Sequence, residues 1–336
     1  MRLSNLPKII LPALLSVPAF AQSMRVEVGK RATTIPKSCE SVMPASIEGP
    51  IDIRALRMEA ICKGAGDMLI EYTYVMHVNA REKDKKGNTK VETTTYEVFI
   101  PTLKSGMHAR GILLVTNHNG VPVPPDELEK ERLRTGERLE REENKIARAD
   151  AAPAAEGEQP KGMLPIGMYT HTAFNRSAFG IRRGGVAFAV DDFLETCDLT
   201  LLRREDKDGR EVLVFRLTPE AEAQFGPNEK YITQLTGEIW IDAKDRIATK
   251  LMAWPRDPKA SATASATTSA DRPPAVYAEM MRLRDGTWLP RVIRINGADY
   301  PALFDHITTD ITWTYSNYVH FSTEVEDYKL KSTEKP

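Results

Sequence analysis

Histidines and carboxylates are the side chains of this sequence that could catalyse a reaction or hold a metal ion. The six histidines are scattered along the chain, at His77, His108, His118, His171, His306 and His320. They form no H-E-x-x-H or C-x-x-C pattern, so the sequence shows neither a zinc-protease signature nor a structural zinc signature. It also lacks a G-x-S-x-G elbow and a G-x-x-x-x-G-K-[ST] loop, so nucleophilic hydrolysis and nucleotide binding have no recognisable motif.

Asp191 and Asp192 form an adjacent pair of carboxylates that could suggest acid–base catalysis. They lie in a segment whose apolar residues recur with helical spacing, at Val186, Val190, Phe193, Leu194 and Cys197. The spacing predicts a helix over 186–197, and the two aspartates flank its apolar face, so we expect them to be solvated. We therefore predict no catalytic residue, no cofactor and no metal ligand. A hydrolase with an unrecognised site is the least favoured hypothesis that we keep.

Composition and charge describe an ordinary globular chain. Of the 336 residues, 41% are hydrophobic and 28% are charged, which excludes a disordered or collagen-like protein. The 46 basic and 47 acidic residues give a formal net charge of −1. A nucleic-acid-binding protein needs a basic excess or a basic stripe, so we predict no nucleic-acid partner.

The N-terminus has the three parts of a secretory signal peptide. Arg2 and Lys8 are positively charged, the apolar run 9–20 follows, and Ala19-Phe20-Ala21 forms a cleavage site. A membrane-spanning helix needs about 18 or more apolar residues, so this run is too short to remain in a membrane. We predict cleavage after Ala21 and a periplasmic protein that does not span the membrane.

The chain contains three cysteines, Cys39, Cys62 and Cys197. An oxidising compartment permits a disulfide bond, and an odd number of cysteines leaves one thiol over. Cys197 falls on an apolar helical face and is expected to be buried, whereas Cys62 lies off the apolar stripe of a helix predicted around 52–63. A Cys39–Cys62 bridge would stabilise the fold by roughly 3 kcal/mol through loop closure. The sequence leaves open whether this bridge forms.

A highly charged segment, 126–150, contains nine acidic and seven basic side chains. Asp126 and Lys130 are spaced for a favourable i,i+4 ion pair, and so are Glu137 and Arg141. We interpret the segment as a solvated helix docked along one edge. The alternative is an arm that binds a partner protein of the cell envelope.

Two further segments lack the large aliphatic residues of a packed core. The charged helix is followed by an Ala-, Pro-, Glu- and Gly-rich linker, so the whole insertion is expected over 124–162. Residues 257–274 are mostly Ala, Ser and Thr and are predicted to be a disordered loop.

Most of the remaining chain reads as β-strands joined by short turns. Turn dipeptides such as Asn119-Gly120, Asp208-Gly209 and Asp285-Gly286 separate segments that alternate polar and apolar residues. This succession of β-hairpins predicts one curved antiparallel sheet or barrel rather than a parallel α/β sheet. The predicted strands cover residues 68–79, 90–100, 112–116, 199–204, 212–217, 232–242, 247–254, 276–283, 288–295 and 308–324.

Two turn motifs occur in the C-terminal half of the chain. One is Gly237-Glu-Ile-Trp-Ile-Asp242 followed by Arg246-Ile-Ala248, and the other is Asp285-Gly-Thr-Trp-Leu-Pro290. Both resemble turn motifs of the LolA/LolB-like superfamily. The resemblance covers 184–328 well and 50–116 loosely, and it does not extend over 124–170. It implies a mainly β fold with some helix, an incomplete antiparallel β-barrel whose strongly curved sheet has its concave face covered by helices. One domain would then occupy 50–328, after an irregular segment 22–49 and before a tail 329–336.

The same resemblance implies two classes of function. The superfamily includes carriers that shield lipoprotein acyl chains in the periplasm, and it also includes sensor proteins. We therefore expect a protein that is not an enzyme and that binds or carries a lipid or a lipoprotein acyl chain. The alternative is an envelope interaction or sensor protein that uses the fold as a scaffold, with 126–150 as its contact surface.

Strand alternation predicts which side chains would line an apolar cavity. A sheet with one wet face places its charged residues toward water, so the uncharged alternate residues should face the concavity. The predicted lining residues are Ile239, Ile241, Leu251, Met281 and Ile293.

Overall fold

The structure is a computed structural model that describes residues 51–64, 69, 71–83, 88–99, 112–151, 180–183, 186–223, 225, 230–257, 273–301, 303–304 and 309–320. The predicted signal peptide 1–21, the segment 22–49, the tail 329–336 and nearly all of the loop 257–274 lie outside these residues. Those assignments remain predictions.

The described part of the chain contains thirteen strands, which we number in chain order. They are β1 Tyr72–Lys83, β2 Thr89–Phe99, β3 Ile112–His118, β4 Val121–Pro122, β5 Gly180–Arg183, β6 Val186–Ala189, β7 Cys197–Lys207, β8 Arg210–Pro219, β9 Leu235–Asp242, β10 Ala248–Pro255, β11 Val276–Arg282, β12 Trp288–Asn296 and β13 Thr309–His320.

The helices of the described part are few and mostly short. They are α1 Ile53–Gly64, α2 Pro125–Ala151, α3 Val190–Thr196 and the 3₁₀ helix Lys230–Gln234. The helices predicted around 52–63 and over 126–150 are thus confirmed by α1 and α2. In the described residues no helix is both long enough and apolar enough to cross a membrane.

Eleven of the strands form one sheet in the order β4-β3-β2-β1-β13-β12-β11-β10-β9-β8-β7. All of its pairings are antiparallel. The sheet is strongly curved and does not close, because β4 and β7 are its two ends. This confirms the predicted incomplete barrel. One non-local pairing, β1 with β13, joins the strands near the two ends of the chain.

Local residue types explain the turns. The predicted turns at Asn119-Gly120 and Asp208-Gly209 have positive φ at all four residues, with values of 50° and 81° in the first and 56° and 75° in the second. Glycine adopts this backbone region at no steric cost, and Asn and Asp tolerate it better than other residues. The two dipeptides therefore form the turns at which β3 and β7 end, as the sequence predicts.

The two turn motifs also contact each other through Asp245. Trp288 Nε1 donates a hydrogen bond of 2.8 Å to the carboxylate of Asp245, and Arg282 Nε donates one of 3.2 Å. Arg210 donates to Asp245 at 2.7 Å, and it also donates to both carboxylate oxygens of Asp242 at 2.7 Å. Asp242 is 1% exposed. These contacts hold the β7–β8 and β9–β10 connections against the β11–β12 hairpin.

The helix predicted over 186–197 is wrong in its extent. Residues 186–189 form β6, which pairs with β5, the helix α3 covers only 190–196, and Cys197 begins β7. A short apolar run cannot be assigned to a strand or a helix by periodicity alone. Asp191 and Asp192, expected in solvent, are 5% and 9% exposed, because α3 is buried on nearly every side.

The core lies between one face of the sheet and the helices α1 and α3. It forms one connected cluster that also includes Tyr231 and Ile232 of the 3₁₀ helix and Tyr300, Leu303 and Phe304 before β13. A smaller cluster on the opposite face consists of Val212, Val214 and Trp240, with Met252 packed against it. The face that carries the main core is called the inner face below, and the other the outer face.

Candidate ligand-binding face

A row of apolar side chains crosses the inner face from strand to strand. Backbone pairing places Ile239 opposite Leu251, Leu251 opposite Ala278, Ala278 opposite Ile293 and Ile293 opposite Trp313. Directly opposite residues of antiparallel strands point to the same face. We call these five residues the apolar row. It extends over five neighbouring strands, from β9 to β13.

Four of the five predicted lining residues lie on this face. Ile239, Ile241, Leu251 and Ile293 are each 0% exposed and belong to the main core. Among their alternate neighbours, Glu238 and Lys250 are only partly buried and lie on the outer face. The structure thus brings these four residues together, and their contact with a ligand remains a prediction.

Met281, the fifth predicted lining residue, is not placed among these buried residues. Met281 is half-buried and lies outside the main core, whereas Met280 is 5% exposed and belongs to it. Alternation explains the difference, because Ala278 faces Ile293 and the residue two positions later, Met280, shares its face. A β-bulge between Glu279 and Met280 shifts the pairing with β12 at this point. Sequence alone does not reveal that register.

The outer face is bound together by charged and aromatic side chains. Lys250 Nζ lies 4.5 Å from the ring centroid of Trp240 and 5.7 Å from that of Tyr277. The indole N–H of Trp240 donates to Glu205 at 3.1 Å, and the Tyr277 hydroxyl donates to Glu279 at 2.9 Å. These groups face water with their polar ends, so the sheet has one wet and one apolar face, as the sequence pattern predicts.

Two helices cover the inner face. Leu56, Ala60 and Ile61 of α1 and Phe193 and Leu194 of α3 are at most 5% exposed and belong to the main core. The helix α1 therefore contributes one apolar stripe toward the sheet, as its sequence spacing predicts.

Polar contacts hold α1 at both ends. Toward its start, Arg57 Nη1 donates to the carbonyl of Cys197 at 3.1 Å and to the carboxylate of Glu220 at 2.7 Å. At its end, Lys63 Nζ donates to the carbonyl of Asp245 at 2.8 Å. Exposed ion pairs contribute little, typically about 0–1 kcal/mol each. The attachment of α1 is therefore mostly apolar, with polar contacts that position it.

Tyrosines gather on the inner face where β1 meets β13. The ring centroid of Tyr74 lies 5.9 Å from that of Tyr315 and 5.5 Å from that of Tyr318, and Tyr72 lies 6.1 Å from Tyr318. We call these four residues the tyrosine cluster. The ring of His320 stands edge-on to Tyr72 at 5.1 Å. The sequence places aromatic residues on both strands but does not show that the two strands pair.

Two hydroxyls of the tyrosine cluster have protein partners. The Tyr72 hydroxyl donates to the Asp285 carboxylate at 2.9 Å, and the Tyr318 hydroxyl donates to the Pro290 carbonyl at 2.6 Å. Burial raises the pKa of Tyr74, Tyr315 and Tyr318 well above the usual range. All three therefore stay neutral and can donate a hydrogen bond at any physiological pH.

The cysteines agree with the sequence analysis where the structure describes them. Cys197 is a free thiol that is 1% exposed, and burial raises its pKa to about 12, so the thiol remains protonated and unreactive. Cys62 lies in α1 and is disulfide-bonded. Cys39 falls outside the described residues, and the Cys39–Cys62 pairing stays a prediction.

The described residues do not gather into a metal site. Among them, no group of three or more His, Cys, Asp or Glu side chains could hold a metal ion. The buried Asp191 and Asp192 both make polar contacts, and they lie in α3 beneath the core rather than in a cleft.

The charged helix α2 lies on the far side of the sheet from α1. It packs against β3, where Leu114 is buried, and Arg132 donates to Glu97 of β2 at 3.2 Å. The predicted Asp126–Lys130 ion pair is present at 3.3 Å. Most described side chains of α2 are exposed, as expected for a helix docked along one edge.

Among known proteins, this chain is similar to several solved structures. No family model matches this sequence, and no curated protein matches it. A DUF1329 family protein from Desulfovibrio piger is similar over 80% of this chain and 92% of its own, with 11% identity and a TM-score of 0.34. A LolA superfamily protein from Nitrosomonas europaea is similar over 80% of this chain and 94% of its own, with 12% identity and a TM-score of 0.29.

A third similar structure comes from Vibrio parahaemolyticus and is described as an outer membrane lipoprotein-sorting protein domain. It is similar over 82% of this chain and 93% of its own, with 11% identity and a TM-score of 0.31. The superfamily that the two turn motifs resemble is thus among the similar structures. Such low values do not indicate a ligand or a partner for this chain.

Proposed function

We propose that this protein is a non-catalytic periplasmic protein that binds the apolar chain of a lipid or lipoprotein against the inner face of its sheet. The observation that carries the proposal is the apolar row, which crosses five strands and is covered by helices rather than by another sheet. The predicted N-terminal signal peptide supports an exported protein.

The physical chemistry of such binding is simple. Each methylene group removed from water contributes about 0.8 kcal/mol, and micromolar affinity corresponds to about −8 kcal/mol. A chain of 14 to 18 carbons therefore needs to bury only part of its length to bind at about micromolar concentration, before the cost of association is counted.

The bound chain takes the place of the α1 side chains against the sheet. The predicted lining residues are fully buried in this structure, so a ligand reaches them only when α1 moves away. The exchange keeps the inner face of the sheet covered, because the ligand replaces the contacts that Leu56 and Ile61 make in the core. The polar contacts at the ends of α1 then set how easily the helix opens.

The experiment is a titration of the purified mature protein with a fluorescent fatty-acyl probe, in the wild type and in two arginine variants. Arg57→Ala removes the contacts with Cys197 and Glu220, so the open form becomes more populated and the apparent affinity rises severalfold. Arg132→Ala removes a surface contact of α2 and serves as the matched control, with unchanged affinity. Failure of the wild-type protein to bind any acyl probe contradicts the proposal.

A second candidate function rests on α2. This helix of 27 residues extends along the sheet edge with Leu133 49% exposed, which suits an interaction or sensor protein of the envelope with a partner on α2. Native mass spectrometry of protein purified from the periplasm separates the two candidates. A copurified lipid supports the first function, and a bound protein lost on replacement of the α2 surface supports the second.

A further inference from the structure

One carboxylate lies within the buried stripe of α1. Glu59 follows Leu56 by three residues and directly precedes Ala60, so the three side chains lie on neighbouring parts of the helix surface. Glu59 is 5% exposed, and Leu56 and Ala60 are fully buried. A glutamate is almost never buried in this way unless a group of opposite charge accompanies it. The helix therefore presents a negative charge to the core together with its apolar side chains.

The group of opposite charge is Arg246, in the connection between β9 and β10. Its Nη1 lies 3.7 Å from Oε2 of Glu59, and its side chain is 13% exposed. That distance is too long for a hydrogen bond. Nη1 of Arg246 is buried and has no hydrogen-bond partner among the described residues. Glu59 thus compensates the charge of Arg246 but leaves this donor unused.

The two aspartates of the same connection are held by a different guanidinium. Arg210 donates to Asp242 and to Asp245. Among the described residues, the ion pair of Arg246 is instead with Glu59 of α1. Movement of α1 away from the sheet would carry this carboxylate off, and Arg246 would lose its counter-ion.

Arg246 also lies beside the proposed acyl-binding surface. Its neighbours Ala243 and Ile247 are each 2% exposed and belong to the main core. Arg246 precedes Leu251 of the apolar row by five residues, which is at most about 18 Å of extended chain. A long acyl chain that crosses the apolar row can therefore place its head group at Arg246.

A ligand that displaces α1 has to replace a negative charge as well as apolar contacts. A neutral ligand would cover the sheet but leave the Arg246 guanidinium without a counter-ion beside apolar side chains, which is unfavourable. A carboxylate or a phosphate supplies the charge and accepts hydrogen bonds from the guanidinium, including its unused donor. The site therefore favours an anionic amphiphile over a neutral one of the same chain length.

We propose that Arg246 binds the anionic head group of an acyl-chain ligand, which takes the place of Glu59 when α1 moves away. This inference rests on the proposed function and specifies the chemical class of its ligand. Carboxylates and phosphates share the required chemistry, because a planar guanidinium can pair with either through two parallel hydrogen bonds.

The test compares palmitate, hexadecyl phosphate and methyl palmitate, which have the same chain length, by displacement of a fluorescent acyl probe. Arg246→Gln removes the cation. Glu59→Gln is the matched control, because it breaks the same ion pair and leaves the cation in place. Lys250→Gln removes a positive charge from the outer face and controls for the change in net charge.

The wild type should bind both anions at least about tenfold more tightly than methyl palmitate, the effect expected for hydrogen bonds to a charged group. Arg246→Gln should abolish this preference. Glu59→Gln should loosen α1 and tighten the binding of all three ligands, with the preference for anions retained. Lys250→Gln should leave the preference unchanged. Because the preference compares ligands within one variant, a general change in the opening of α1 does not affect it.

Two further measurements make the test more specific. The ¹³C-labelled carboxyl of palmitate, followed by NMR, should titrate at lower pH when bound to the wild type than when bound to Arg246→Gln, because a nearby cation favours the charged form. The ratio of the affinities for hexadecyl phosphate and palmitate identifies the preferred head group. If circular dichroism shows that Arg246→Gln does not fold, Arg246→Lys replaces it, and the preference should be reduced because the planar fork is lost.

Three results overturn the inference and leave the proposed function in place. These are equal binding of the three ligands by the wild type, a preference for anions that survives in Arg246→Gln, or the same loss of preference in Glu59→Gln as in Arg246→Gln. The last result would show that the ion pair only attaches α1. If none of the three ligands binds the wild type, the proposed function itself fails.

Discussion

Lys250 and Leu251 are neighbours in β10 and point to opposite faces of the sheet. The Leu251 side chain is 0% exposed within the apolar row, whereas Lys250 Nζ lies 4.5 Å from the ring centroid of Trp240 on the outer face. A shift of one residue in the register of β10 would exchange the two environments. The difference in burial between Leu251 and Lys250 therefore shows that the register of β10 is fixed by the inner face.

Truncating each of these two residues to alanine should have very different effects on stability. Leu251→Ala leaves a cavity in the core and should lower the free energy of unfolding by about 2–5 kcal/mol. Lys250→Ala removes a partly exposed cation above a ring and should cost about 1 kcal/mol or less. Urea denaturation of both variants gives the comparison, and similar losses would contradict the assigned faces.

Glycine-to-alanine substitutions at two sites should change stability in opposite directions. A Cβ atom at Gly237 would lie 2.3 Å from the backbone carbonyl oxygen of Met252, while a Cβ at Gly136 in α2 meets nothing within 4 Å. Gly237→Ala must therefore separate β9 from β10 and should destabilise the protein by at least about 1–3 kcal/mol. Gly136→Ala should stabilise it by about 0.5–1 kcal/mol, the usual gain inside a helix.

Thermal or urea unfolding of the two glycine variants checks this prediction. A Gly237→Ala protein as stable as the wild type would show that the two strands do not approach so closely. It would also remove the physical reason for the glycine that opens the Gly237–Asp242 motif.

The acid stability of the protein should depend on Asp245. Burial alone would raise the pKa of this carboxyl, but hydrogen bonds from Trp288 and Arg210 outweigh it and lower the pKa below its usual range. A lowered folded-state pKa adds stability that is present above the unfolded-state value of about 3.9 and is lost as the pH falls through the folded-state value. The wild type should therefore lose stability as the pH is lowered below about 4–5.

Urea midpoints measured between about pH 7 and pH 2 test this assignment. Asp245→Asn should be less stable than the wild type at neutral pH, and its loss in acid should be smaller. Trp288→Phe removes one donor and should fall between the two. Parallel pH profiles for the wild type and Asp245→Asn would contradict the role given to Asp245.

Much of the fold follows from short-range sequence signals. Dipeptides such as Asn119-Gly120 need a positive φ and stop strands wherever they occur, so the hairpins could be predicted in order. Alternation placed Ile239, Ile241 and Leu251 on one face because their neighbours Glu238 and Lys250 are charged. These signals act within a few residues, and no partner strand is needed to interpret them.

The features that the sequence does not reveal are set by distant contacts. The face of Met281 depends on the pairing of β11 with β12 and on the bulge after Glu279, neither of which is visible in the sequence. Asp191 and Asp192 are buried because α1 and β8 pack against α3 together with the adjacent β6 and β7. The tyrosine cluster depends on β1 pairing with β13, and these strands are more than two hundred residues apart.

Photo-crosslinking tests the central claim most directly. The purified protein is incubated with a palmitoyl ester that carries a diazirine in its chain, irradiated and digested, and the labelled residues are identified by mass spectrometry. If the inner face binds the acyl chain, the label appears on the strands of the apolar row, at Ile239, Leu251 or Ile293, or on the facing stripe of α1. Label confined to the outer face around Trp240 and Tyr277, or to α2, would contradict the account.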